Sequence, residues 1–531
     1  MNMFANFPAG AILIAIGPIL LLAFTLVPSG WANRHPARMT HLASGATLAT
    51  LGMTLLGVAA VAVVGRIESV VAFWLPFSIG VYFDVLSAIM FLVVAFLGAV
   101  VTRYAFNYLK GDAQQGHFLK WLCVTLGAVL TLIISSNLVM FTAAWIATSL
   151  SLHQLLTFYK HRPSARMAAR KKFVISRMGD VCLLVAIVLV YRAFGSWEFG
   201  DLFAQAAALR SNGQPAPPEL TAICLLLASG AMLKSAQFPF HSWLPDTMET
   251  PTPVSALMHA GIINAGGFLI VRLSPVISLS PLTLDVLAIV GAFTAIFASL
   301  VMMTQASIKR MLAFSTIAQM GFMLLQCGLG AFSVAVLHIV AHSLYKAHAF
   351  LSSGSVVSIS KTAWVPVGRP TAHVGVLVAA LLVAVGLTFG VALIVGVSPL
   401  AEPGAVILGT VFIMGLTHLL WSLWGQSVTP GLVAAGLLIG VIVSAAYFVL
   451  HIVFKTMLAS ALPYEVTAPT VNTGLLIPVL IALFGAVLVL QSQLPLWASR
   501  EWCRRLYVHA RNGFYFNTLA NRAVQSFWPA R

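Results

Sequence analysis

The chain has 531 residues, 60% of them apolar and only 8% charged, with 29 Lys+Arg against 13 Asp+Glu and a formal charge of +16. Soluble proteins carry about 25% charged residues, so the composition excludes an ordinary soluble enzyme and a disordered chain. Apolar runs of about 20 residues recur from end to end, the pattern of an all-α, polytopic membrane protein.

Fifteen spans are predicted, near 8–28, 42–64, 82–104, 117–135, 137–159, 172–194, 219–237, 252–273, 281–303, 308–327, 331–356, 373–397, 404–425, 431–453 and 474–494. No cleavable signal is evident, so the first run reads as a retained helix. The longest connection, 195–218, contains Pro215, Pro217 and Pro218 and reads as a polar loop. With the N-terminus outside, 22 basic residues fall on cytoplasmic connections and five (Arg66, Arg192, Arg210, Arg272, Lys455) on outer ones. That asymmetry orients the chain. The basic excess therefore serves topology and anionic headgroups rather than nucleic acid. Five cysteines, at 123, 182, 224, 327 and 503, form no CxxC pair and no metal-ligand spacing.

The two remaining basic residues, Lys234 and Lys346, lie within spans. A charge at the bilayer centre costs roughly 3 kcal/mol on insertion scales, so each needs a reason. Lys234 is followed by Pro239 and Pro245, and proline removes a backbone donor and clashes with the preceding turn. The helix should break just after Lys234, where free backbone groups need protein or a water-filled cavity. A lysine there suits an ion pathway; the plainer alternative is an amine snorkelling to the interface. His259 follows Pro251 by eight residues, about 12 Å into the membrane at 1.5 Å per residue. Histidine titrates near neutrality and suits proton relay, so His259 is expected to pair with Lys234 across a helical hairpin.

His338, His342 and Lys346 are spaced i, i+4, i+8 and form one polar stripe. The stripe is read as a proton wire, with interhelical hydrogen bonding as the alternative. Arg177 and Asp180, at i, i+3, can pair, either structurally or to bias a nearby lysine. Asp84 caps its span or faces a polar gap. Asp246, after the break, either caps a helix or receives protons. Lys309 opens a span from the cytoplasmic side. The tail 495–531, with Arg504, Arg505 and Arg511 among aromatics, is an interfacial amphipathic segment or a docking surface. No dinucleotide, P-loop, triad or haem motif is present, so no catalytic site and no cofactor is assigned to this chain.

Several of these segments resemble the proton-conducting antiporter-like membrane subunits of NADH:quinone oxidoreductases and multisubunit Na+/H+ antiporters. They are Gly80-Val-Tyr-Phe-Asp-Val-Leu-Ser, Ser176-Arg-Met-Gly-Asp, Lys234-Ser-Ala-Gln-Phe-Pro-Phe-His-Ser-Trp-Leu-Pro-Asp, Ser307-Ile-Lys-Arg-Met-Leu-Ala-Phe-Ser-Thr, the His338/His342/Lys346 helix and Asn512-Gly-Phe-Tyr-Phe. The resemblance is strong over 80–356 and weak beyond 370. It implies an antiporter-like fold with two inverted five-helix repeats, each containing a broken helix. The chain would then divide into N-terminal helices 1–116, repeats 117–273 and 281–425, C-terminal helices 426–494 and the tail 495–531. It also implies Lys234 as the central proton carrier, leading on to His259, His338 and His342. Two departures stand out. The family's fifth-span glutamate is replaced by Ile146, in Ala144-Trp145-Ile146, and the run 373–397 lacks the family's second Lys or Glu. Asp180 could partly replace the first, and His418 is the polar group nearest the second. Length, the lost glutamate and the run from Asp246 resemble the membrane subunits of bacterial inorganic-carbon accumulation complexes. That narrower resemblance implies a cytoplasmic DabA-like partner related to zinc-dependent β-carbonic anhydrases, with the zinc in the partner.

Overall fold

The computed structural model describes residues 9–72, 78–212, 215–355, 374–397, 403–425, 428–462 and 471–528. Fourteen helices there are long and apolar enough to cross a membrane, and a fifteenth, Leu220–Lys234, is apolar but shorter. The predicted spans are therefore present, with ends shifted by a few residues. The largest shifts are at Pro36–Val64 and Pro163–Phe194, each of which begins at a proline, the residue that suits a first helical turn. The second extension carries Lys171 into the helix, next to Lys172.

Two connections differ from expectation. Residues 195–218 are not simply a loop: Phe199–Asn212 forms a helix that buries Phe199, Leu202 and Ala206. Its apolar stripe at i, i+3, i+7 is short and lies among polar residues, so composition hid it. Ahead of the third span, Ile67–Ala72 and Ser78–Phe83 pair as an antiparallel hairpin, from Ile67↔Phe83 to Ala72↔Ser78. Asp84 then caps Val85–Tyr108 by accepting a 2.9 Å bond from the Ser87 N–H.

Two helices are interrupted where the site forms. Leu220–Lys234 ends at Ser235, and the chain continues through short turns at Phe240–Ser242, Trp243–Asp246 and Thr247–Glu249 before Thr252–Ala260 begins. That helix stops at Gly261 and resumes as Ala265–Arg272. The Asn264 amide donates to the freed Ala260 carbonyl at 2.9 Å and to Ser343 Oγ at 2.8 Å, so a side chain satisfies what the break exposes. By contrast, Val374–Val395 is one continuous helix. It contains no proline and no charged residue to favour an interruption.

Packing is close along the whole seam between Pro281–Met302 and Ile308–Gly328. A Cβ on Gly291 would lie 2.5 Å from Leu325 N, and one on Gly321 would lie 2.6 Å from Gly291 O. These glycines let the two backbones meet, as membrane helices require where lipid supplies no hydrophobic drive.

Candidate functional site

The residues singled out in the sequence gather in three places. The first is centred on Lys234, at the C-terminal end of Leu220–Lys234 and packed against Pro163–Phe194. Its amine lies 4.3 Å from the centroid of the buried Trp145 ring. It has no hydrogen-bond partner among the described residues. Arg177 and Asp180 form the expected pair at 2.7 Å, and both act electrostatically on Lys234. Asp180 is buried, so the carboxylate beside the lysine comes from the sixth helix. Position 146, one residue beyond Trp145, is isoleucine and supplies no acid there.

The second cluster contains Lys346, His342, His338 and His259. Lys346 is fully buried and donates to Ser315 Oγ at 2.7 Å and to the Leu312 carbonyl at 3.4 Å. His259 Nδ1 is 3.0 Å from Thr316 Oγ1, so these two basic residues meet consecutive hydroxyls of one helix. The His338 and His342 rings are 6.1 Å apart, and His338 Nδ1 is 2.9 Å from Gln326 Oε1. His342 interacts with the His259 backbone, and Lys346 acts electrostatically on both His259 and His342. The i, i+4, i+8 stripe thus faces inward as a unit. His348 is exposed.

The expected pairing of His259 with Lys234 does not form. Among the described residues they share no hydrogen bond, ring contact or electrostatic interaction. Thr252–Ala260 packs on Phe332–Leu351 and Val85–Tyr108, whereas Leu220–Lys234 packs on Pro163–Phe194. The second half of the broken helix, Ala265–Arg272, still packs on Leu220–Lys234, but His259 lies in the first half and joins Lys346.

The third place is the mouth of the break. Asp246 accepts from Lys171 Nζ at 2.6 Å and from Asn517 Nδ2 at 3.0 Å. Lys171 also donates to Asn517 Oδ1. The tail thus reaches back onto its own chain through helices Glu501–Arg511 and Phe516–Phe527. Phe516 lies 4.7 Å from the Phe238 ring and Arg170 lies 5.2 Å from the Trp528 ring. Lys309 is half-buried at the second position of Ile308–Gly328 and belongs to none of these clusters. His418 contacts Gln491 at 3.2 Å.

Four basic residues assigned by sequence to connections are in fact buried: Lys120, Lys171, Lys172 and Arg272. Arg272 holds Asp84 through two hydrogen bonds of 2.7 and 2.9 Å, tying the end of one span to the start of another across 188 residues. Lys172 donates to the Ser149 carbonyl and hydroxyl, both at 2.8 Å. Its position eight residues before Asp180 places it on that residue's face of the helix, the signal that could have found it. Outside the spans, Glu198 accepts from Ser78 and, at 3.2 Å, from Asn137. Burial pushes its carboxyl above the usual range, against these hydrogen bonds.

Buried amines and imidazoles on neighbouring membrane helices can pass protons, because both groups exchange them and neither needs a bound metal. Among the described residues no three His, Cys, Asp or Glu side chains gather as a metal site.

Comparison with known proteins gives consistent matches. Residues 135–365 match the transmembrane family described as NADH:quinone oxidoreductase/Mrp antiporter, and 72–119 match the chain 5 N-terminus of NADH-ubiquinone oxidoreductase. A probable inorganic carbon transporter subunit DabB2 of Halothiobacillus neapolitanus is 37% identical, covering 98% of this chain and 95% of that one. A probable inorganic carbon transporter subunit DabB of Hydrogenovibrio crunogenus is 46% identical over 52% of each chain. The Mrp complex of Dietzia sp. DQ12-45-1b has a chain of the same fold, with a TM-score of 0.57 and 22% identity, covering 97% of this chain and 55% of that one. With its interrupted helices and buried lysines, the chain belongs to the NADH:quinone oxidoreductase/Mrp antiporter family of membrane subunits and is similar over its whole length to an inorganic carbon transporter subunit.

Proposed function

We propose that this chain is the proton-conducting membrane subunit of an energy-coupled inorganic-carbon uptake complex. It would sit in a bacterial inner membrane with its N-terminus outside and its C-terminus cytoplasmic. The division into two repeats, 117–273 and 281–425, is part of the same reading. A DabA-like partner, docked on the cytoplasmic side, would hydrate CO2 at its own zinc and release bicarbonate inside. Protons flowing inward through this chain would drive that capture. Lys234, His259, His338, His342 and Lys346 would carry them, Arg177 and Asp180 would bias Lys234, and Asp246 would serve the cytoplasmic mouth, with Lys309, apart from these clusters, as a further basic group on the path.

The observation that carries the proton reading is the Lys234 amine. It is buried at a helix break, beside an Arg177–Asp180 pair and without a hydrogen bond among the described residues. A purely structural lysine would be expected to hold fixed acceptors, as buried polar groups do. The carbon reading is supported by similarity along the whole chain to an inorganic carbon transporter subunit. Lys234→Ala should abolish CO2-independent growth of a carbon-uptake-deficient host rescued by the intact complex. Growth equal to wild type, with normal expression, would sink the proposal.

A second reading, a proton-pumping subunit of a redox or Na+/H+ antiporter complex, is favoured by the family match itself. Affinity purification with metal analysis separates the two: a single zinc-bearing partner supports carbon uptake, and an iron–sulfur assembly overturns it. The lost fifth-span acid at Ile146 raises a third reading, a non-conducting scaffold. Proton flux in vesicles would exclude it.

A further inference from the structure

Lys172 is a buried charge that the pathway above does not use. It lies within Pro163–Phe194, is 3% exposed, and its amine hydrogen-bonds, among the described residues, only the carbonyl and hydroxyl of Ser149. Neutral oxygens offset little of the cost of burying an ammonium, so a permanently charged structural lysine is a poor fit. Its surroundings are also unusual for a structural residue. Lys234, Arg177 and Asp180 all act on it electrostatically. Arg177 reaches the same Ser149 hydroxyl at 3.3 Å. The preceding residue, Lys171, is paired with Asp246 at the mouth of the break.

One helix therefore carries a paired lysine at the mouth, a buried lysine inside, and the Arg177–Asp180 pair next to Lys234. In a low-dielectric interior two nearby ammonium groups repel. A proton gained by one of the Lys172 and Lys234 amines therefore favours proton loss from the other.

We propose that Lys172 is a second proton-carrying amine, linking the Lys171–Asp246 mouth to Lys234. The inference rests on the reading that Lys234 carries protons. The step breaks one N–H bond at Lys172 and forms one at Lys234, directly or through water, with no other bond changed.

The test is proton flux into vesicles reconstituted with the full-length protein and its co-purified subunits. Arginine keeps the positive charge and the donors but does not release its proton in proteins. Lys172→Arg and Lys172→Gln should therefore each lower flux at least about tenfold. Lys172→His, which can exchange protons, should keep conducting with an altered pH profile. Wild-type flux in Lys172→Arg would overturn the proposal, since charge alone would then suffice. Loss of flux in Lys172→His with an unchanged unfolding transition would overturn it as well. Should the Lys172 variants fail to fold, Ser149→Ala unties the amine without removing it. It should lower flux and move the pH profile, and wild-type behaviour there would count against the proposal. Lys234→Ala in the same vesicles distinguishes the failures: conduction without Lys234 defeats the pathway itself, whatever Lys172 does.

Discussion

The two buried lysines that sequence placed inside the membrane, Lys234 and Lys346, end up in opposite kinds of environment. Lys234 has charged neighbours, Arg177 and Asp180, and no hydrogen bond among the described residues. Lys346 donates two hydrogen bonds, and hydroxyls and imidazoles surround it instead of carboxylates. A lysine biased by charge responds when its neighbours gain or lose protons. A lysine held by hydroxyls is fixed in position and hands on what reaches it. The first arrangement suits a switch and the second a wire, which is why the same residue type can serve at both ends of one path.

The comparison can be broken by mutation, beginning with the largest effect. Lys234→Ala should reduce proton flux in vesicles to background, whereas Lys346→Gln, able to keep the Ser315 contact, should retain a measurable fraction. Equal loss in both would mean the two amines are not different in kind. Breaking a buried ion pair by removing one partner costs roughly 3–5 kcal/mol. Asp84→Ala, which leaves Arg272 buried and unpaired, should accordingly lower the unfolding temperature more than any substitution in either lysine cluster. A smaller drop than that for Lys346→Gln would show that Arg272 finds water.

Next come the neighbours. Asp180→Asn removes a charged partner, and with hydrogen bonds to charged groups worth about 1.5–3 kcal/mol, flux should fall about tenfold. Ser315→Ala removes a neutral hydroxyl worth about 1 kcal/mol, so flux should fall only a few-fold. Reversal of that order would assign the charge-biased role to Lys346. The smallest expected effect lies outside the spans. Glu198 has its folded pKa raised by burial, so its protonated form favours folding. That contribution is present below the unfolded carboxyl range and fades as pH rises through the folded value. Glu198→Gln should flatten this part of the stability–pH curve, read from unfolding at stepped pH, and leave flux unchanged.

Much of the site was legible in order of residues alone. The break after Lys234 followed from Pro239 and Pro245, the inward stripe from the i, i+4, i+8 spacing, and the Arg177–Asp180 pair from i, i+3. Each rests on contacts within one helix or on the covalent limits of proline. Most misreadings of the site involve partners distant in sequence. His259 was assigned to Lys234 because they are neighbours along the chain, but helix packing gave it to Lys346. Lys171 and Lys172 looked like topology charges because they close a basic run, and Arg272 because it ends a span. The tail's meeting with Asp246 joins positions 271 residues apart, which no local pattern announces.

Sequence by itself determined that this chain lives in a membrane, where its apolar helices fall along the chain, and which orientation its charges favour. Those follow from hydrocarbon thickness and the cost of exposing charge to it. It also showed that Lys234 and Lys346 needed a reason to be buried. Only the tertiary structure decided which acid faces which amine. That choice depends on how close helices can come, as at Gly291 and Gly321, and on which faces they turn to one another, and both are properties of pairs of helices.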